Sequence, residues 1–137
     1  MSVFASPRFL SRLMWADAAS CAATGALQVV FTDALASLTE LPVGLLMGTG
    51  VFLLAYAAAA AAMAARRDPP RGLIGLVVIG NFGWAAACAA LLAGGLFPVT
   101  GIGMAWVVAQ ALCVVLLAEL QWTGLRRTRP GAGIARA

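Results

Sequence analysis

The sequence predicts an all-α integral membrane protein, an up-down four-helix bundle with both termini in the cytoplasm. Of its 137 residues, 63% are hydrophobic and 10% are charged, whereas soluble domains are about half apolar and about a quarter charged. The apolar residues form four runs, each close to the ~20 residues with which a helix crosses a bilayer. All nine basic residues are arginines, and they fall in three short segments outside these runs.

Prolines, glycines and charged residues divide the chain between the apolar runs. Pro42 opens the second run, and two prolines just before Arg71 separate it from the third. The segment 97–101 is a tight turn, so the third and fourth spans are antiparallel neighbours. The predicted segments are a cytoplasmic N-terminus at 1–12, spans at 13–31, 42–65, 72–96 and 102–125, and a basic cytoplasmic tail at 126–137.

The first span carries a stripe of polar side chains. Asp17, Ser20, Cys21, Thr24 and Gln28 recur at helical spacing and share one face. Because a carboxylate inside hydrocarbon is costly unless it faces protein or water, this face is predicted to point at the other spans. Asp17 also interrupts the apolar run that a signal peptide needs, which favours a retained span over a cleaved leader or a lipoprotein cleavage box at 18–21.

The second span begins with a small-residue pattern. Gly44 and Gly48 are one turn apart, and an alanine run follows at 57–62. Small residues let helix backbones approach closely in lipid, so these two glycines are predicted to pack against another helix. The alternative is that small residues are simply frequent in an alanine-rich chain.

The arginines predict the threading. They lie at the N-terminus, between the second and third spans and at the C-terminus, which four spans place on one side. The positive-inside rule makes that side the cytoplasm. Anionic lipid headgroups are the expected partners, rather than nucleic acid, because the arginines flank apolar spans. The arginines expected to contact lipid are Arg12, Arg66, Arg67, Arg71, Arg126 and Arg127.

A few polar side chains inside the spans form the candidate site. They are Asp17, Thr24, Asn81, Gln110 and Glu119. At a rise of ~1.5 Å per residue, the two acids and Asn81 lie in the cytoplasmic half, so Asp17 and Glu119 could face each other, share a proton or bind arginines of the rim. Gln110 and Glu119 are half a helical rotation apart, so only one lines the bundle centre. An oligomer in which Gln110 meets another copy would satisfy both.

Two interpretations of this site remain open. Acidic residues within spans often mark proton or cation paths, which predicts a carrier. Alternatively, the acids bind arginines near the headgroups while the other polar groups bond between helices. Their position near the rim favours the structural interpretation.

The sequence offers no catalytic set, metal site or cofactor site. It contains no histidine, no phosphate-binding loop and no nucleophile motif, so we expect no enzyme activity. Its three cysteines lie in three different spans, so no disulfide is predicted. The alternative to ordinary apolar packing, which we favour, is a thiol relay or a copper(I) site. Its soft ligands would be Cys21, Cys88 and Cys113 with Met14, Met47 or Met104.

The second half of the chain carries a set of recognisable short motifs: Asn81-x-x-Trp84, Cys88, Leu91-Leu92, Pro98-x-Thr100-Gly101, Gln110-Ala111 and Ala118-Glu119-Leu120-Gln121-x-x-Gly124-Leu125-Arg126-Arg127. In these residues it resembles small, uncharacterised four-span bacterial inner-membrane proteins and, more loosely, DoxX-like proteins. The resemblance implies the four-span fold and a bacterial source, and with them a location in the bacterial inner (plasma) membrane. For some relatives it also implies a place beside respiratory or redox machinery. It transfers no catalytic residue.

The expected function is that of a non-enzymatic inner-membrane protein acting through helix contacts, as an accessory or self-assembling subunit. A homo-oligomer or another membrane protein is its expected partner. The alternative is a small-solute or proton-linked transporter that uses Asp17, Glu119 and Gln110.

Overall fold

The computed structural model describes residues 7–66 and 70–127, and within them it consists of helices and connections without strands. Its helices are α1 (Pro7–Val30), α2 (Thr32–Thr39), α3 (Val43–Ala64), α4 (Arg71–Ala93) and α5 (Gly101–Arg127). The first helix begins earlier than the predicted span, inside the segment assigned to the N-terminus, and the last helix ends two residues later than predicted. The rest of the predicted tail, 128–137, lies outside the described residues.

Three of the helices, α3, α4 and α5, are long and apolar enough to cross a membrane. The first helix meets that standard only when it is counted together with α2, from which it is bent by 90°. The reason is its composition, because Asp17 and Gln28 interrupt the apolar residues between Leu13 and Val30. The described chain therefore offers three crossings, or four if α1 and α2 form one broken span.

Helices α1 and α3 pack closely and run antiparallel. Near the start of α1, the Ser11 hydroxyl donates to the Ala64 carbonyl at 2.7 Å. Near its end, Gly25 meets Gly50, and a Cβ added at Gly25 would lie 2.8 Å from the Gly50 carbonyl oxygen. The two backbones approach this closely because neither glycine has a side chain.

The predicted packing role of Gly44 and Gly48 is wrong within this chain. Both glycines are exposed, and a Cβ added to either would meet nothing within 4 Å. On α3, the buried face instead contains Leu46, Gly50 and Leu53. Gly48 is two residues from Gly50, which is about 200° of rotation on a helix, so it points away from α1.

Helix α5 packs against α4 and α1. The start of α4 meets the end of α5, where the Arg71 guanidinium donates to the Leu125 carbonyl, so these helices are antiparallel. Gly124 lies against α1, because a Cβ there would be 2.7 Å from Leu10 Cδ2. The arginine-bearing ends of α1, α3, α4 and α5 therefore lie together at one end of the molecule.

The short helix α2 closes the opposite end. It ends at Thr39, and the next residue, Glu40, adopts a left-handed conformation with φ 55° and donates its backbone N–H to the Ala36 carbonyl. Thr100, just before α5, donates its hydroxyl to the Leu38 carbonyl at 2.6 Å and its backbone N–H to the Thr39 carbonyl at 3.1 Å. At Gly103, a Cβ would lie 2.5 Å from the Thr39 carbonyl oxygen. Helix α2 thus joins the α1–α3 pair to α5.

Candidate functional site

Helix α1 buries its polar stripe, as the sequence predicted. Asp17 is 0% exposed, Gln28 3% and Cys21 5%, and Ser20 and Thr24 are partly buried. On the opposite side of the helix, Trp15 is half exposed. The carboxylate therefore faces the other helices.

Asp17 is bonded by one side chain from each of the other three long helices. Its Oδ2 accepts from Tyr56 Oη on α3 at 2.9 Å, from Gln121 Nε2 on α5 at 3.0 Å and from Asn81 Nδ2 on α4 at 3.2 Å. We call these four residues the Asp17 cluster. The cluster is the point at which all four long helices meet through polar groups.

Further contacts complete the cluster. The Cys21 thiol donates to Asp17 Oδ1 at 3.7 Å. The Asn81 amide also donates to Gln121 Oε1 at 3.3 Å, and the Gln121 amide contacts the sulfur of Met14 at 3.7 Å. Both carboxylate oxygens are thus occupied by donors of this chain, and none of these donors is an arginine.

This geometry suits a structural role for the carboxylate. An acid in an apolar interior is tolerated when hydrogen-bond donors replace its lost water. Here the donors come from separate helices, so each bond also fixes the rotation of one helix about its axis. An apolar layer below the cluster, built from Leu10, Met14, Ile74 and Val77, separates it from the arginine-bearing end.

The structure brings together two of the five predicted site residues, Asp17 and Asn81. Glu119 is exposed, because it lies two residues, about 200° of rotation, from Gln121, which faces Asp17. The predicted pairing of Asp17 with Glu119, and the alternative binding of Asp17 to arginine, are therefore wrong. Thr24 is partly buried on α1 and makes no side-chain hydrogen bond within the described residues.

Gln110 lies at the other end of the helix face that carries Gln121. The two are eleven residues apart, which returns to nearly the same face after about three turns, or roughly 16 Å. Gln110 therefore lines a second polar level, together with Gln28 and Thr49, where the Thr49 hydroxyl lies 3.1 Å from Gln28 Oε1. The prediction that Gln110 and Glu119 lie on opposite faces is confirmed.

Sequence reasoning missed Tyr56 and Gln121 as members of the site. Tyr56 is the one tyrosine of the chain and stands in an alanine-rich segment, so an isolated hydroxyl in an apolar run was the available signal. Gln121 shares a face with Gln110, and that eleven-residue spacing was the signal for it.

The arginines predicted to contact lipid lie at one end, mostly at the surface. Arg12, Arg66, Arg126 and Arg127 are exposed. Arg126 stacks over the Trp122 ring at 5.5 Å, and Arg71 is partly buried against α5. Arg67 lies outside the described residues.

The cysteines have different surroundings. Cys21 is buried beside Asp17, Cys88 is partly buried and Cys113 is exposed. Within residues 7–66 and 70–127, no three side chains of the metal-binding types come together.

Comparison with protein-family models, with curated proteins and with solved structures finds no match to this chain. The resemblance to DoxX-like proteins therefore stays a prediction.

Proposed function

We propose that the chain is a non-enzymatic multi-pass protein of the bacterial inner membrane that acts through helix–helix contacts, as an accessory or self-assembling subunit. In this proposal it crosses the bilayer four times, with α1 and α2 as a broken first crossing, and keeps both termini in the cytoplasm. The meeting of the arginine-bearing helix ends supports this threading, because arginine is enriched on the cytoplasmic side. Anionic lipid headgroups would be the partners of these arginines.

The observation that carries the proposal is the contrast between two acids. Asp17 is fully buried and its oxygens are occupied by donors from the same chain. Glu119 is exposed on α5 and has no hydrogen bond or ion pair within the described residues. A charged side chain on the apolar surface of a membrane helix costs ~2.5–3.5 kcal/mol at the bilayer centre and less near the rim. A second protein surface that offers a donor would remove that cost.

The surroundings of Glu119 favour a helix as that second surface. Ala105, Leu112, Glu119 and Arg126 are spaced by seven residues and are all exposed. A seven-residue repeat forms a continuous seam along a helix, along which a partner helix can pack. A single polar residue in such a seam fixes the register and the number of helices, at some cost in stability.

The proposal is tested by the mass of the protein in lipid nanodiscs or mild detergent. We expect an oligomer, and we expect Glu119→Leu to shift the population toward the monomer. Glu40→Gln is the matched control, because Glu40 is also an exposed acid but lies in the turn after α2. A wild-type protein that is monomeric and copurifies with no other membrane protein would overturn the proposal.

A proton-linked carrier is the second candidate, and one observation favours it. A cavity of about 90 Å³ adjoins the Asp17 cluster and is lined by Tyr56, Asn81 and Cys21. Phe52 and Trp84, whose rings stack at 5.9 Å, form another part of its wall.

Proton flux in liposomes separates the two candidates. A carrier gives flux that Asp17→Asn stops and that Glu40→Gln leaves intact. A scaffold gives no flux above that of empty liposomes.

A further inference from the structure

Helices α3 and α4 stand apart, and part of the space between them is a cavity. Within the described residues, no Cα atom of α3 lies within 8 Å of a Cα atom of α4. The cavity of about 90 Å³ beside the Asp17 cluster borders this gap, with Phe52 and Tyr56 on α3 and Gly80 and Asn81 on α4 among its lining residues. The gap therefore leaves room for a small molecule next to the cluster.

Asn81 presents an unpaired oxygen to this cavity. Its Nδ2 donates to Asp17 Oδ2 at 3.2 Å and to Gln121 Oε1 at 3.3 Å, and because both of these atoms accept, they fix the orientation of the amide. Its Oδ1 therefore points away from them and accepts no hydrogen bond within the described residues.

The unpaired oxygen is buried but not sealed. Asn81 is 5% exposed and lines the cavity. Among the described side chains, the unpaired polar atom that is completely enclosed belongs to Trp106. Asn81 Oδ1 thus keeps some accessible surface, and the cavity is the space that it borders. A group that fills this space beside Oδ1 must donate a hydrogen bond.

The carboxylate behind Asn81 lacks a counter-ion in the part of the chain that the structure describes. All the side chains that contact the oxygens of Asp17 are neutral donors, which suits the ionised form, because a carboxylate only accepts. An apolar layer separates it from the arginine-bearing end. Ionised groups inside membrane proteins usually pair with an opposite charge, which a cation in the adjoining cavity would supply.

The lining of the cavity restricts the kind of cation. Tyr56 and Asn81 supply the only side-chain oxygens among its described lining residues, whereas Mg²⁺ and Ca²⁺ take six or more oxygen ligands. An ammonium group instead has N–H donors and no acceptor, which matches Asn81 Oδ1. The remaining wall includes Leu53 and Val114 and suits a short alkyl chain. Since a cavity of ~150 Å³ holds the six carbons of benzene, this one holds about four heavy atoms.

We propose that this cavity binds a small primary alkylammonium ion, whose N–H donates to Asn81 Oδ1 and whose charge offsets that of Asp17. The alkyl chain lies against Leu53 and Val114. This site does not depend on the assembly proposed through Glu119, which lies on another face of α5 from Val114. It requires binding and not transport, so it is tested without a flux measurement.

Competition on the wild-type protein tests the charge and the donor separately. Radiolabelled propylammonium is bound to the protein in phosphatidylcholine nanodiscs, with empty nanodiscs as the background. The first competitor, 1-propanol, has the same chain and a donor but no charge, and the second, tetramethylammonium, has the charge but no N–H. We expect saturable binding, for which unlabelled propylammonium competes at least about 10-fold more strongly than either probe.

Two glycines of α4 locate the site. Gly80 lines the cavity and Gly83 does not, and a Cβ added at either meets nothing within 4 Å. Gly80→Val occupies part of the cavity and should weaken propylammonium binding about 10-fold or more, because the ligand then overfills the space. Gly83→Val makes the same change outside the cavity and should leave the affinity unchanged. Equal thermal unfolding of the two variants excludes a general loss of folding.

Asp17→Asn removes the charge that attracts the ligand. The ammonium nitrogen would lie roughly 8 Å from Asp17 Oδ2, across the Asn81 amide and its two hydrogen bonds. At an effective dielectric constant of ~20, the attraction between two unit charges at that distance corresponds to about 30-fold in affinity. We therefore expect propylammonium to bind about 30-fold more weakly, while the affinity for 1-propanol is unchanged.

The proposal is overturned if the wild-type protein shows no saturable binding of propylammonium, in which case water alone occupies the cavity. It is also overturned if 1-propanol or tetramethylammonium competes as well as propylammonium does, or if Gly80→Val and Gly83→Val bind propylammonium equally. None of these outcomes changes the oligomer measured with Glu119→Leu, so the binding site and the proposed assembly fail separately.

Discussion

Replacing Asp17 by asparagine tests whether the buried carboxylate holds the helices together. The variant keeps the size of the side chain but leaves one acceptor oxygen where there were two. In one orientation of the new amide, its NH₂ group faces the donor groups of Tyr56, Gln121 and Asn81, so donor meets donor. In the wild type these groups contact Asp17 Oδ2 at 2.9–3.2 Å. The other orientation keeps three bonds to a neutral oxygen, which are about half as strong as bonds to a charged one.

The expected loss follows from the number of bonds. Interhelical hydrogen bonds in membrane proteins contribute ~0.6 kcal/mol on average and up to ~1.7 kcal/mol. Three such bonds contribute ~2–5 kcal/mol, and halving them predicts that Asp17→Asn lowers the free energy of unfolding by ~1–2.5 kcal/mol.

The native thiol of Cys21 provides the assay, since it is 5% exposed and contacts Asp17. With Cys88 and Cys113 replaced by alanine, a thiol-reactive dye reports unfolding of the cluster as SDS is added to mixed micelles. Glu40→Gln removes the charge of an exposed acid in the turn after α2 and should change stability by less than ~0.5 kcal/mol. An Asp17→Asn variant as stable as the parent would refute a structural role for the carboxylate.

Three further substitutions test the packing, with the same unfolding measurement. Gly25→Ala should cost ~1–3 kcal/mol, because its Cβ would lie 2.8 Å from the Gly50 carbonyl oxygen and force α1 from α3; a neutral result would mean that the helices are not in close contact. Gly48→Ala should instead gain ~0.5–1 kcal/mol, because the new Cβ meets nothing within 4 Å, and a loss would reveal an interface on that face. Thr100→Val should cost ~0.5–2 kcal/mol, because it removes the hydrogen bond to the Leu38 carbonyl and the one that caps the Gly103 N–H at 3.0 Å. Faster hydrogen exchange confined to α2 and the start of α5 would locate the effect.

The sequence predicted correctly which side chains share a face of a single helix. The direction of the α1 stripe followed from the cost of exposing Asp17 to hydrocarbon, and the structure buries that stripe. Helical periodicity also separated Gln110 from Glu119 on α5. These conclusions need no knowledge of the neighbouring helices.

The rotation of one helix against another was not predictable in this way. Gly44 and Gly48 have the spacing of a packing motif on one helix. The glycines that are in contact, however, are Gly25 on α1 and Gly50 on α3. Likewise, Glu119 was the stronger candidate by charge, yet α5 turns Gln121 toward Asp17. Which face of a helix is buried depends on its packing against all of its neighbours, and a local sequence pattern does not contain that information.

The contacts of α2 constrain the order in which the chain assembles during synthesis. Thr39 accepts the N–H of Thr100 and lies against Gly103, so α2 makes its contacts with α5 only after the last helix has left the ribosome. This end of the molecule therefore closes late in synthesis, and a chain truncated before residue 100 should leave α2 more accessible to protease. A tag inserted in the 31–42 connection would block the same step.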